Sequence, residues 1–365
     1  MTESAQVPVT LYGSSISYFT GKMETYFRVK GIAYRNQTMN RDLMARSETE
    51  TGVFQMPAVE LGDGRWMTDS TRMIQWFEQA TPGQQIIPSD PVQRFFSLLL
   101  EDYADEWLWR PAMHYRWYYN DSAHMRSRHL VAELTGEVPV PAGLKRWYMR
   151  QRQRRSYTVG DGIHRGNVAA VEAIYHRCNA QLEAIFSQRP FLLGDRPSLA
   201  DIGFSGPYFR HFSQDPVPGE ILRQQAPAVH AWLGRLWAWG GRATGTWLNG
   251  IPQDWGPILD DIGSHYLPYL CANAEAVAAG RKRFDATIAG VEYRGARYSK
   301  YRVWCLQQLR DEFAALPPPA SAASRQLLET HGIWEPLWRL PVLDACARQN
   351  QGLPFHGDNK MIGVN

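Results

Sequence analysis

Short apolar runs alternate with helical periods over residues 8–80, and helical periods take over from Val92. Val9-Thr10-Leu11-Tyr12 reads as a strand. Lys22 to Lys30 has helical spacing, with Met23, Tyr26 and Phe27 on one side, and Ala33 to Met39 reads as a second strand. Met56-Pro57 heads a short apolar run of Ala58, Val59 and Leu61. Gly62-Asp63-Gly64 is a tight turn, and Asp69-Ser70 heads a helix-like stretch from Thr71 to Gln79. The order predicts a βαβ unit, then a hairpin, then a closing helix. Thr81-Pro82-Gly83 breaks this pattern, and Ile87 to Pro91 reads as a linker.

Val92 to Tyr119 reads as one long aromatic-rich helix, and Val168 to Gln188 as another. Ser198-Leu199-Ala200-Asp201 opens a third with a variant capping box, in which each side chain bonds the other residue's backbone N–H. That motif is structural and receives no chemistry. Beyond residue 250, Ile262 to Arg283, Tyr301 to Leu316 and Ala322 to Thr330 look helical, with Pro317-Pro318-Pro319 as a break. The fold class expected is therefore α/β plus all-α.

Composition changes the picture modestly. A chain of 365 residues exceeds one average domain, and a net charge of +3 is too small to imply a polyanionic partner. The 14 Trp and 17 Tyr suit an aromatic pocket, but large cores and interfaces use them as well. Cys178, Cys271, Cys305 and Cys346 are widely spaced, so no zinc or redox motif is expected, and no metal site. No secretory pattern and no apolar run of membrane length is seen, so a cytoplasmic setting without membrane association is the expectation. Residues 138–160 contain no acidic residue but include Lys145, Arg146, Arg150, Arg152, Arg154 and Arg155. Such a run is a solvated helix face or an anion-binding surface; with no base-reading motif, nucleic acid is not expected.

Candidate chemistry begins at the hairpin. A proline ahead of an inner strand cannot donate a ladder hydrogen bond, and a cis bond there exposes the preceding backbone. A serine at a helix N-terminus offers its hydroxyl and free N–H groups to a carboxylate. Asp69 beside it suits an amine. An extended ligand with one amine and one carboxylate fits, and glutathione has these features.

With these residues the chain resembles the glutathione transferase family, in a bacterial-type form. Leu11-Tyr12-Gly13-Ser14-Ser15-Ile16-Ser17, Lys22 and Gly31-Ile32-Ala33-Tyr34 are similar to its first strand, active-site turn, first helix and second strand. Met56-Pro57-Ala58-Val59 is similar to its cis-proline segment, and Thr68-Asp69-Ser70 to its acidic-Ser motif. Phe191 to Ile202 resembles its helical-domain signature. The resemblance implies a thioredoxin-like glutathione-binding domain over 1–82 and a helical domain with extra helices over 92–250. Residues 251–365 then form an extension of unknown role.

The resemblance also implies roles. Ser17 would donate a hydroxyl to the glutathione thiolate, with Tyr12 as the alternative. Ser70 would take the γ-glutamyl carboxylate, Asp69 the amine, and Met56, held by Pro57, the cysteinyl backbone, with Gln55 as a weaker contact. Lys22 and Arg72 could offset the glycine carboxylate or lie on the surface. A hydrophobic, aromatic electrophile would sit against Trp107, Arg110, His114 and Tyr115. No cysteine precedes residue 178, so the sulfur would come from bound glutathione. The implied activity is thiolate addition or displacement by a homodimer, in a detoxifying role. Glutathione-dependent isomerisation, ether cleavage or dehalogenation would use the same thiolate, and a non-catalytic binding or assembly protein is the other alternative.

Overall fold

A computed structural model describes residues 9–341 of the chain. Its first layer runs β1 (Val9–Gly13), α1 (Tyr18–Lys30), β2 (Tyr34–Thr38), α2 (Arg41–Thr51), β3 (Ala58–Glu60), β4 (Trp66–Thr68) and α3 (Ser70–Ala80). The sheet order is β2-β1-β3-β4. β1 and β2 are parallel with Val9 opposite Tyr34, so they need a crossover, which α1 supplies. β3 is antiparallel to both neighbours, with Ala58 opposite Tyr12 and Thr68. The thioredoxin-like order read from the sequence is present, and the Met56–Pro57 bond is cis. Met23, Tyr26 and Phe27 are buried, as is every other residue of α1 except Arg28. Gly31 ends that helix at φ 80°, a left-handed conformation that glycine adopts without a Cβ penalty.

The helical layer comprises α4 (Pro91–Glu106), α5 (Trp109–Tyr118), α6 (Asn120–Thr135), α7 (Ala142–Gln153), α8 (Val168–Phe186), α9 (Leu199–Pro207), α10 (Pro216–Gln225) and α11 (Pro227–Trp237). The single helix expected over Val92–Tyr119 is two, α4 and α5, meeting at Trp107-Leu108. Pro111 explains the break. It has no N–H to return to the Trp107 carbonyl, and its ring would collide with that carbonyl in a continuous helix. The capping box of Ser198 and Asp201 forms at the start of α9. Gly203 lets α9 press on α4: a Cβ there would lie 2.6 Å from Glu101 Cα.

After α11 come α12 (Gly256–Asp261), α13 (Leu267–Ala278), β5 (Arg283–Ile288), β6 (Val291–Arg297), α14 (Lys300–Ala314), α15 (Pro318–Thr330) and α16 (Trp334–Trp338). The helix expected from Ile262 to Arg283 stops at Ala278, and an unforeseen hairpin follows. Phe284, Ala286 and Ile288 are buried in alternation along β5, a period of two. Ala289 and Gly290 turn the hairpin, both at positive φ, as the commonest two-residue connection requires. Cys178, Cys271 and Cys305 are buried free thiols. Cys346 lies outside the described residues.

Buried polar contacts bind this region to α4 and α5. Arg302 of α14 pairs with Glu106 and with Asp161, both at 2.9 Å, and Arg110 pairs with Asp161 at 3.0 Å. Tyr103 donates to Asp261 at 2.7 Å and Tyr266 to Asp102 at 2.6 Å. The Arg110 guanidinium also lies over Trp107, Tyr269 and Tyr293, at 4.2–4.7 Å from the ring centroids. Arg302→Met would leave the Glu106 carboxylate buried without its cation. We expect a loss of about 3–5 kcal/mol in urea unfolding of the full chain; a loss below about 1 kcal/mol would show that this cluster does not hold the region in place.

Candidate functional site

Two adjoining cavities lie where α1, the β3 segment and the helical layer meet. The smaller, about 20 Å³, is lined by Phe19, Gln55, Met56, Pro57, Thr68, Asp69, Ser70, Asp105 and Tyr301. The larger, about 240 Å³, shares Phe19, Gln55 and Met56 and extends over Ser14, Ser17, Trp109, Met113, Arg116, Trp117 and His211. Strand pairing of β3 ends at Ala58, so the Met56 backbone lies beyond the last paired residue, at the cavity edge. Thr68 holds this segment in place: its hydroxyl donates to Pro57 O at 2.9 Å and accepts from Gln55 Nε2 at 3.1 Å. Asp69 caps α3 through the Arg72 N–H at 3.4 Å and sits at φ 74°. Ser70 follows, 7% exposed, at the positive end of the α3 dipole.

At the other end, the β1–α1 turn presents hydroxyls. Ser17 Oγ accepts the Thr20 N–H at 3.4 Å and so caps α1. Among the described residues its own proton has no acceptor, so capping leaves it able to donate into the larger cavity. Ser14 and Ser15 are instead held by Glu133 of α6, with Ser14 Oγ to Oε2 at 2.5 Å and Ser15 N to Oε1 at 3.3 Å. Arg116 reaches the same turn, donating to Ile16 O at 2.6 Å, to Asp215 at 2.9 Å and to His211 Nε2 at 2.8 Å. Burial pulls Arg116 down to about 10, so it stays charged at neutral pH. Burial and the Arg116 charge push His211 well below the usual imidazole range, so it is neutral there and acts as the acceptor.

Comparison with known proteins decides the family. Residues 11–85 match the glutathione S-transferase N-terminal domain, and residues 165–235 match the glutathione S-transferase C-terminal domain. The chain carries both domains of the glutathione transferase family. Similar solved structures include a GST-like protein from Pseudomonas syringae, 20% identical, with 64% of this chain and 68% of that one covered and a TM-score of 0.41. Another is the beta-etherase LigF from Sphingobium sp. strain SYK-6, 20% identical, with 62% of this chain and 94% of that one covered and a TM-score of 0.43. The glutathione transferase GSTFuA3 from Phanerochaete chrysosporium is 13% identical, with 66% and 100% covered and a TM-score of 0.43. No curated protein sequence matches the chain significantly.

Within this transferase frame, Gln55, Met56, Pro57, Asp69, Ser70 and Ser17 come together around the two cavities. Tyr12 does not. Its side chain stacks on Trp66 at 4.7 Å and its hydroxyl donates to Glu60 at 2.6 Å, away from either cavity lining. Burial, with Glu60 adding to it, pushes the phenol up to about 12, which opposes ionisation. Lys22 is neither surface nor cavity wall: it is fully buried between Glu101, at 2.5 Å, and Asp105. Arg72 is also buried, beside Asp69.

The aromatic wall is corrected by half a helical turn. Trp107 and Arg110 pack on Tyr269 and Tyr293, His114 bonds Glu172 at 2.9 Å, and Tyr115 stacks on Tyr119. None of these four lines either cavity. Trp109, Met113, Arg116 and Trp117, at helical spacing on the other side of α5, do so instead. Arg152 of the basic segment also reaches the larger cavity, while Lys145 bonds the Thr135 carbonyl at 2.7 Å and Arg154 the Trp117 carbonyl at 2.6 Å. Glu133, Asp105 and Tyr301 had no local sequence signal, because each reaches the site from a separate helix. Filling the larger cavity by Met113→Trp should weaken a hydrophobic naphthalene sulfonate dye by about tenfold in a fluorescence titration. His114→Gln, on the far face, should leave dye affinity unchanged.

Proposed function

We propose that this protein is a glutathione transferase that holds glutathione along Met56, Pro57, Asp69 and Ser70 and directs its thiolate at a hydrophobic, aromatic electrophile. One observation supports this reading above others: the small cavity beside Met56, Pro57, Asp69 and Ser70 adjoins, through Phe19, Gln55 and Met56, an apolar cavity of about 240 Å³ that Ser17 also lines. Ser70 and the α3 N-terminus would take the γ-glutamyl carboxylate. The Met56 backbone would pair with the cysteinyl unit and leave the sulfur facing the β1–α1 turn.

A free thiol with pKa near 8.5 is only a few per cent ionised at neutral pH. Each unit of lowering corresponds to about 1.36 kcal/mol of preference for the anion. The Ser17 hydroxyl, the positive end of α1 and the charge of Arg116 all act in that direction. The thiol proton leaves to solvent, and the thiolate attacks the electrophilic carbon. The outcome is addition, or displacement of a leaving group with its bonding electrons. Glutathione-dependent isomerisation, ether cleavage and dehalogenation begin with the same anion. Glu133 works the other way, since a carboxylate beside the turn disfavours a second anion. That is the observation favouring a non-catalytic glutathione-binding protein as the second reading.

Two measurements test the proposal. Ser70→Ala removes a charge-assisted hydrogen bond and should weaken glutathione in calorimetry by roughly 1.5–3 kcal/mol; an unchanged affinity would take Ser70 out of the site. Ser17→Ala should raise the pKa of the bound thiol, read from thiolate ultraviolet absorbance. Turnover should fall at neutral pH and partly recover as pH rises and the thiolate fraction is restored. A bound thiol that titrates like free glutathione in both wild type and Ser17→Ala would favour the non-catalytic reading.

A further inference from the structure

We propose that the smaller cavity is an ammonium pocket, in which Asp105 of α4 and Tyr301 of the C-terminal extension join Asp69 in receiving the γ-glutamyl amine of glutathione. The inference rests on the glutathione reading above and assigns the extension a share in ligand recognition. The carboxylate of Asp105 is 5% exposed at the residue level. Its Oδ2 is bonded by Lys22, while Oδ1 has no hydrogen-bond partner among the described residues. A buried carboxylate oxygen without a donor is costly unless a ligand supplies one.

The charges around it do not balance. Lys22 serves two carboxylates, Glu101 and Asp105, and Thr71 gives Glu101 a further bond at 2.7 Å. With both carboxylates ionised, the group of three carries one negative charge too many, and neighbouring Glu106 is already matched by Arg302. Burial pushes the Asp105 carboxyl well above its ordinary range and Lys22 pulls it back; a cation in the adjoining cavity would act as Lys22 does.

Size and donor count agree with an ammonium group. A cavity of about 20 Å³ has room for a single group of the size of water. An ammonium has three N–H donors and no acceptor. Asp105, Asp69 and Tyr301 all line the cavity, two carboxylate residues and one hydroxyl residue. Tyr301 donates to Asp69 Oδ1 at 3.2 Å, 232 residues away in sequence, and a hydroxyl that donates still accepts. Ser70 stands on the same wall, so a carboxylate on the adjacent carbon of an amino acid would meet the α3 N-terminus.

The test is calorimetry on the full chain with two ligands, glutathione and its analogue lacking the α-amine (glutaryl-cysteinyl-glycine). Wild type should prefer glutathione by about tenfold or more, the scale of a charge-assisted hydrogen bond. Asp105→Asn should shrink that preference to about threefold or less. Tyr301→Phe, which removes one oxygen and keeps the packing, should reduce it part-way and decides the matter if Asp105→Asn fails to fold. Ser70→Ala should weaken both ligands alike and keep the preference. A full preference for the amine in Asp105→Asn, or in Tyr301→Phe where that variant decides, overturns the inference while leaving glutathione binding intact. Absence of glutathione binding in wild type overturns the glutathione reading itself, and this inference with it.

Discussion

Helix α4 carries an acidic stripe at Glu101, Asp102, Asp105 and Glu106, and the other parts of the protein are fastened to it. Lys22 of α1 comes from the thioredoxin-like layer to Glu101 and Asp105. Tyr266 and Arg302 come from the C-terminal extension to Asp102 and Glu106. Desolvating these groups costs several kcal/mol each, so the pairs are weak evidence for net stability. Their effect is on arrangement: a buried charge tolerates few alternatives, so each partner must return to one place.

That arrangement creates the site. Both cavities lie at the seam between the thioredoxin-like layer and the helices, and neither layer lines them alone. Lys22, fixed on α4, sets α1 against the helices and therefore places the Ser17 turn near Trp109 and Met113. Arg116 reinforces the seam by bonding the Ile16 carbonyl and the Asp215 carboxylate together. A permanent buried cation beside the N-terminus of α1 gives that turn a positive potential, opposed locally by Glu133.

The groove was legible in the sequence because its determinants are local. Proline before a strand, a glycine turn and an acidic-Ser helix start each act through their own backbone, within a dozen or so residues. The aromatic lining of the larger cavity was not legible. Apolar and aromatic residues occupy both faces of α5, so periodicity gives the helix without its rotation. Only the packing of Trp107 and Arg110 against Tyr269 and Tyr293 decides which face remains for the cavity. The β5–β6 hairpin did leave a signal, the alternation of Phe284, Ala286 and Ile288, but it follows directly on a helical run.

By itself the sequence determined the order of elements, their caps and the backbone groove, since these follow from short-range sterics and hydrogen bonding. The break between α4 and α5 also belongs to that class, because Pro111 alone dictates it. Tertiary structure decided which hydroxyl faces the cavity, which side of α5 lines it, and that Asp105 and Tyr301 meet Asp69. Those outcomes depend on how desolvated charges and aromatic rings from distant segments satisfy one another, and no local pattern encodes that competition.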